Sequence, residues 1–322
     1  QHIEALGRML GYGDVPSVLK QLKGGIDYFG GRIDTHFNMN KNFREVLGDD
    51  PDDFSDNKYG NNDVDGPTED EEDVRHGTHV AGIIAAERNN GIGMNGVADN
   101  VEIMVIRAVP DGDEYDKDVA LAIRYAVDNG ASVINTSFGK YYSPNPEWVW
   151  DAIKYAGEND VLIVNAAGNE GLDLDEKQVY PNDQQGTGPE VSNSFLTIGA
   201  LNFKYGSEMV ATFSNYGDSN VDTFAPGVRI WSTTQKDTYE YLQGTSMASP
   251  AAAGVAAVVR SYFPDLSASQ VKQVLMSSGL SSKTPVILGG EESNTDNFTN
   301  ISKSGKMVNL YNALIMASKI SK

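Results

Sequence analysis

Two hydrophobic rhythms divide this chain of 322 residues. Ile3, Leu6 and Leu10, then Val18, Leu19 and Leu22, recur at helical spacing, with Pro16 just inside the second run. Two short helices to about Lys23 are predicted, followed by a Gly- and Asn-rich passage to about Gly66. Beyond it, short apolar runs alternate with amphipathic ones. Residues 101–109 read as a buried strand, 118–129 as a helix stopped by Gly130, 132–136 as a strand, 147–159 as a helix and 161–165 as a strand. Residues 195–200 and 228–232 add strands, 239–243 lead into a Gly-Thr-Ser turn, and helices over about 268–276 and 308–317 close the chain. The alternation predicts an α/β fold with a parallel sheet and helices on both faces. It also predicts an N-terminal segment, 1–66, set apart from a main domain, 67–322.

Composition narrows the function classes. The formal net charge is −20, from 45 acidic against 25 basic residues, which opposes nucleic acid or anionic membrane as a partner. No run approaches 18 apolar residues, so no membrane span is expected in this chain. With no cysteine there is no disulfide, thiol nucleophile or thiolate metal ligand.

Three local patterns carry candidate chemistry. In Gly244-Thr245-Ser246-Met247-Ala248-Ser249-Pro250 a serine stands at the start of a small-residue helix, where unpaired N–H groups and the helix dipole stabilise an anion. Ser246 is therefore a candidate nucleophile, although Thr245 or Ser246 acting only as an N-cap explains the same letters. His76-Gly77-Thr78-His79-Val80-Ala81-Gly82 opens a second small-residue helix and offers a base of near-neutral pKa. His76 is assigned to that role and His79, one turn on, to structure. The run 161–169 is an apolar strand entering a glycine turn that ends in Asn169, whose amide is able to donate to an oxyanion; a plain turn-forming Asn is the bland alternative.

Taken together, in the order His, Asn, Ser, the HGTHVAG, AAGN and GTSMASP blocks resemble those of the subtilisin-like serine peptidases, the subtilases. The resemblance runs from about Asp56 to the C-terminal helix. It implies a three-layer αβα fold with a mainly parallel central sheet and a serine endopeptidase working through an acyl-enzyme. His76 is then the base, Ser246 the nucleophile and Asn169 the oxyanion donor. Ser137, Phe138 and Gly139 resemble the strand that pairs with substrate, and Ala167 and Gly168, beside Ala166, the floor of an open side-chain pocket. A polypeptide substrate and an extracytoplasmic, secreted or cell-surface location are implied. Residues 1–66 resemble an insertion within the catalytic domain.

One family feature is missing. The subtilase triad takes an aspartate from the end of an apolar strand upstream of the His block, and this chain has none. Asp34, in Gly31-Arg32-Ile33-Asp34-Thr35-His36, has neither the preceding apolar run nor the following glycine. Asp63, Asp65 and Asp73 fall in an acidic, solvated stretch. The orienting acid is therefore expected on a segment upstream of Gln1, supplied as a partner by the same protein.

No cofactor is expected. Structural calcium is compatible with the family, but Asp111, Asp113, Asp116 and Asp118 lack the glycine and distal glutamate of a calcium loop and read as surface helix caps; Glu69 to Asp73 reads as a solvated loop. Two rivals remain. An esterase of the α/β-hydrolase type needs its His after its Ser, whereas all four histidines precede Ser246. A non-catalytic, peptide- or partner-binding subtilase scaffold keeps the fold without the missing acid.

Overall fold

A computed structural model describes residues 44–65, 72–110, 112, 114–184 and 188–321, with isolated positions at 19, 22, 23, 26, 30 and 33. Of the helices predicted up to Lys23 only Leu19, Leu22 and Lys23 are described, each helical and exposed; Asp34, Glu69, Asp111 and Asp113 lie outside the described residues, as does the side chain of Asp73. By its contacts the chain divides into two units, Gln1–Gly60 with Val109–Asp113, and Asn61–Ala108 with Glu114–Lys322. In the first, Arg44 is buried against Asp49 in a forked ion pair and its guanidinium lies over the Tyr59 ring.

The second unit begins with α1 (Glu72–Ala85), then α2 (Asp116–Asp128), β1 (Val133–Thr136), α3 (Pro146–Glu158), β2 (Leu162–Ala166), β3 (Phe195–Leu201) and β4 (Thr223–Pro226). A hairpin, β5 (Ile230–Thr234) and β6 (Thr238–Leu242), leads into α4 (Thr245–Tyr262) and α5 (Ala268–Ser278). The short β7 (Leu280–Ser281), the hairpin β8 (Pro285–Leu288) and β9 (Glu291–Asn297), β10 (Lys306–Met307) and α6 (Leu310–Ile320) complete it.

The central sheet has the order β1-β2-β3-β4-β10-β7, parallel throughout except for the β10–β7 pair at one edge. Buried at every position, β2 and β3 read as near-continuous apolar runs, interrupted by Asn165 and Thr197, and not as alternating ones. Leu162 and Val164 turn to one face, where they meet Leu196, Ile198 and the α4 residues Ala252, Ala256 and Val259 in the main core. Successive alanines and Gly254 let α4 lie close to its neighbours: a Cβ on Gly254 would press on Val97. A second cluster joins Leu201, Val221 and Phe224 to Val286, Leu288 and Phe298, with the two phenyl rings 5.5 Å apart. This is the three-layer α/β arrangement expected.

Three expectations change. Residues 101–109 form no strand, and Ile103, Met104 and Val105 are exposed. An apolar run reads the same whether it is buried or merely lacks a ladder partner, and among the described residues β1 is the last strand of its edge. The segments around 228–232 and 239–243 pair only with each other, antiparallel, outside the main sheet. Helix α1 starts at Glu72, so His76 stands in its second turn; acids at the helix start favour this extension through the dipole.

Lys272 of α5 is buried within 3.2 Å of Glu190 and 3.4 Å of Asp222, and Glu190 also holds Lys303. Burial alone would lower the Lys272 pKa, but Asp222, Asp183 and Glu190 outweigh it and raise it. Asp183 is the unbalanced member: desolvation, only partly offset by Lys272, pushes it up to about 7. A carboxyl whose folded pKa exceeds its unfolded value stabilises the fold when protonated, and that stability is lost as pH rises from about 4 towards 7. Asp183→Asn should therefore match the parent near pH 4 and exceed it at pH 8 by on the order of 2 kcal/mol. Urea unfolding at the two pH values measures this; an equal or lower stability at pH 8 would refute the buried charge.

Candidate active site

The C-terminal ends of β1 and β2 and the N-terminus of α4 converge. Ser246 is the second residue of α4, partly buried, in a first turn where Thr245 N donates to Asn169 and Met247 N bonds back to Gly244 O at 3.0 Å. Before it, Gly244 takes φ 149°, a conformation L side chains rarely adopt, while its N–H bonds Gly227 O at 2.9 Å. Ser246 Oγ donates to Ser137 O at 3.2 Å, and Ser137 Oγ donates to Ser246 O at 2.9 Å. Behind this reciprocal pair, Asn135 Nδ2 donates to Ser137 Oγ at 2.8 Å and Ser249 Oγ to Asn135 Oδ1 at 2.7 Å. The turn carrying Ser246 is thus tied to β1 from within its own helix.

Asn169 follows the Gly168 turn after β2. Its Oδ1 accepts from Thr245 N at 2.8 Å and from Thr245 Oγ1 at 3.0 Å. A backbone N–H only donates, so the oxygen must face Thr245, and Nδ2 is left without a partner among the described residues. Thr245 Oγ1 also accepts from Gly168 N at 3.0 Å. Asn215 braces the turn from below, donating to Ala167 O at 2.8 Å and accepting from Leu172 N at 2.8 Å. Gly168 has φ 103°, and a Cβ there would run into the Asn215 amide. Ala166 and Ala167 are buried and line a small cavity with Val179, Pro181, Asp183 and Thr197.

His76 keeps a solvent-exposed side, and no hydrogen bond joins it to Ser246 or any other described residue. Its helix α1 packs on α4 and on β5. Desolvation, and secondarily the neighbouring His79, hold its pKa below 6.5. His79 is fully buried, with Nε2 3.1 Å from both Ile230 O and Glu240 O. Two carbonyls require Nε2 to carry the proton, so His79 fastens α1 to the β5–β6 hairpin. Burial lowers its pKa too, against those two bonds.

Ser137 is buried, Phe138 partly so and Gly139 exposed. Gly139 N donates to Glu114 Oε1 at 3.1 Å, so two backbone groups of this segment, Ser137 O and Gly139 N–H, are occupied from within the protein. The acidic stretch before α2 departs from a surface cap: Asp116 is buried, paired with Lys140 at 2.8 Å, and accepts from Ser143 Oγ and Asn145 N. Asp118 is only partly buried. Asp63 and Asp65 are exposed, in turns closed by Asn61 and Asp63 side chains.

Sequence reasoning passed over Thr245 as more than a cap, and Asn135, Glu114 and Asn215 altogether. Glu114 and Asn135 sit in segments with no motif of their own, and Asn215 lies 45 residues from the Glu170 it bonds. Nothing local marks such partners.

A model of the subtilase family matches residues 25–304. A thermophilic serine proteinase of Bacillus sp. (strain AK1) is 40% identical over 210 residues, covering 65% of this chain and 46% of the relative. A cell wall-associated protease of Bacillus subtilis (strain 168) is 35% identical over 228 residues, covering 70% of this chain and 24% of the relative. The matched region thus spans less than half the length of either relative. Among solved structures, a protease of Pseudoalteromonas arctica PAMC 21717 superposes with a TM-score of 0.61 at 29% identity, over 75% of this chain and 70% of that one.

Both helix histidines should titrate below 6.5 if burial governs them. Imidazole NMR signals followed against pH, assigned through His76→Gln and His79→Gln, give the midpoints. A His76 midpoint above 6.5 would mean an unrecognised anion beside it.

Proposed function

The chain belongs to the subtilase family, and on that basis we propose that it is the catalytic part of a serine endopeptidase acting on polypeptides outside the cytoplasm. Ser246 attacks the scissile carbonyl, His76 takes its proton and returns it to the leaving amine, and water then hydrolyses the acyl-enzyme. Asn169 Nδ2 and the Ser246 N–H face the oxyanion. The observation that supports this best is the fixed polarity of the Asn169 amide: with Oδ1 held by Thr245, the NH2 group is the end available to a developing negative oxygen. Substrate extends along Ser137, Phe138 and Gly139. Its arrival exchanges the bond from Ser246 Oγ to Ser137 O for one to His76 and frees Ser137 O for the substrate backbone.

The orienting carboxylate comes, in this reading, on an extended segment outside this chain that adds to the free edge of β1. Supporting it are the half-buried side chains of Val133, Ile134 and Asn135 on that edge and the exposed apolar residues Ile103 to Val105, which have no strand partner among the described residues.

In the longer protein, a fluorophosphonate should label Ser246, and Ser246→Ala should abolish labelling and peptide cleavage together. Asn169→Ala should lower kcat by about 10²–10³-fold, the loss known for removing an oxyanion donor in a subtilisin, and leave KM nearly unchanged. Labelling that survives Ser246→Ala would sink the assignment, as would an Asn169→Ala effect confined to KM.

Restoring the upstream segment to this chain should raise both peptide hydrolysis and melting temperature, since the acid fixes the imidazole tautomer and the added strand covers an open edge. Changing the strand-terminal Asp of that segment to Asn should remove most of the activity gain and keep most of the thermal one. Full hydrolysis by this chain without the segment would place the acid within it.

A further inference from the structure

The strand order arranges the rim of the sheet in a line. After β1 come Ser137, Phe138 and Gly139; after β2, Gly168 and Asn169; after β3, Asn202 and Phe203; after β4, Gly227 and Arg229. A substrate whose acyl half lies over β1 and whose scissile carbonyl meets Asn169 must carry its leaving half over β3 and β4. Strands are about 4.8 Å apart, so β4 lies about 10 Å beyond β2, or roughly three residues of extended chain.

At that place the guanidinium of Arg229 lies 5.5 Å from the Phe203 ring centre and 5.4 Å from that of Tyr241. Tyr241 leans on its cross-strand partner Trp231 at 4.6 Å, and Trp231 stacks on Tyr239 at 6.1 Å and 20°. Phe203, Tyr241 and Trp231 are 64%, 57% and 40% exposed, a run of aromatic surface that the fold leaves in water. Arg229 holds φ 54°, a left-handed conformation unusual for a non-glycine residue. Its head group is exposed and has no carboxylate partner among the described residues, in a chain of net charge −20. Arg44, Arg75 and Arg260 each face an acid. A planar guanidinium propped by rings and left unneutralised offers its donor fork to a carboxylate.

We propose that Phe203, Arg229 and Tyr241 form a subsite for an acidic side chain two to four residues beyond the scissile bond. The proposal rests on the assignment of Ser246 as nucleophile. Because the protein as a whole repels acidic chains, the preference is for one acid in an otherwise neutral or basic stretch.

Two kinds of substrate test it on the full-length protein: peptides with a common acyl half and Asp, Asn or Lys at the second, third or fourth leaving-side position, and a p-nitroanilide with the same acyl half and no leaving-side residue. The expected result is a kcat/KM for Asp exceeding that for Asn by roughly three- to tenfold at one of these positions, fading at high salt. Arg229→Gln should bring the ratio to one, and Arg229→Glu should invert it towards Lys. Anilide cleavage with Asp, Asn and Lys equal at all three positions would overturn the subsite and leave the peptidase standing. Failure to cleave the anilide would sink both. A preference that persists in Arg229→Gln would assign it elsewhere and overturn the role of Arg229.

Discussion

Thr245 holds the site together. Its N–H and Oγ1 both donate to Asn169 Oδ1, and the same hydroxyl accepts from Gly168 N, so one side chain and one backbone group join the end of β2 to the start of α4. The consequences are geometric. Asn169 has one amide orientation open to it, Gly168 must take a positive φ to bring its N–H round, and Asn215 must fill the space beneath, which is why no Cβ fits there. The hydroxyl is buried, and leaving either partner unsatisfied would cost about 1–3 kcal/mol in a medium that offers no water in exchange. A second tie, from Ser249 through Asn135 and Ser137 to the Ser246 carbonyl, fixes the same helix start from the β1 side. Ser246 is thus set between two strands by bonds that do not use its own hydroxyl, apart from the contact to Ser137 O.

The surface charge and the interior charge obey different rules. Most of the acidic excess is solvated and screened. Inside, most charges are met by partners: Asp116 has Lys140, Ser143 and Asn145, and Lys272 has Glu190 and Asp222, while Asp183 keeps a buried oxygen that bonds no described residue and its pKa is raised. Lys140 directly follows Gly139 at the rim, whereas Asp222 directly precedes β4, at the opposite end of that strand. Such pairs contribute little net stability over apolar replacements, but losing one member strands the other. Their value here is positional: Lys140 anchors the far end of the 137–139 segment, while its backbone pairs in both directions with Tyr180 at 2.8 Å.

What the sequence disclosed follows from the range of the interactions involved. Ser246, His76 and Asn169 lie in short blocks whose own letters encode a local geometry, a helix start, a helix turn and a strand-to-glycine turn, so their placement on those elements was legible. The α/β alternation was legible for the same reason, since period and punctuation are local. Residues 101–109 misled because burial depends on a neighbouring strand, and none pairs with this run among the described residues. The buried role of Asp116 was hidden because its cation, Lys140, is 24 positions away and looks like any surface lysine in the sequence. Asn215 and Glu114 were invisible because they act on backbone groups of distant segments, and a backbone group has no letter.

The rim gives these separate facts a common frame. Parallel strands deliver each loop to the same edge of the sheet, so strand order and not chain order decides what a ligand meets in succession. By that order the sites on either side of Asn169 differ in kind. Over β1 the groups on offer are backbone N–H and C=O, which read extension and little else. Over β3 and β4 they are aromatic faces and a guanidinium, which read side chains. A polypeptide lying across both would be held by shape on its acyl side and sorted by charge on its leaving side, with the turn that Thr245 fixes between the two halves.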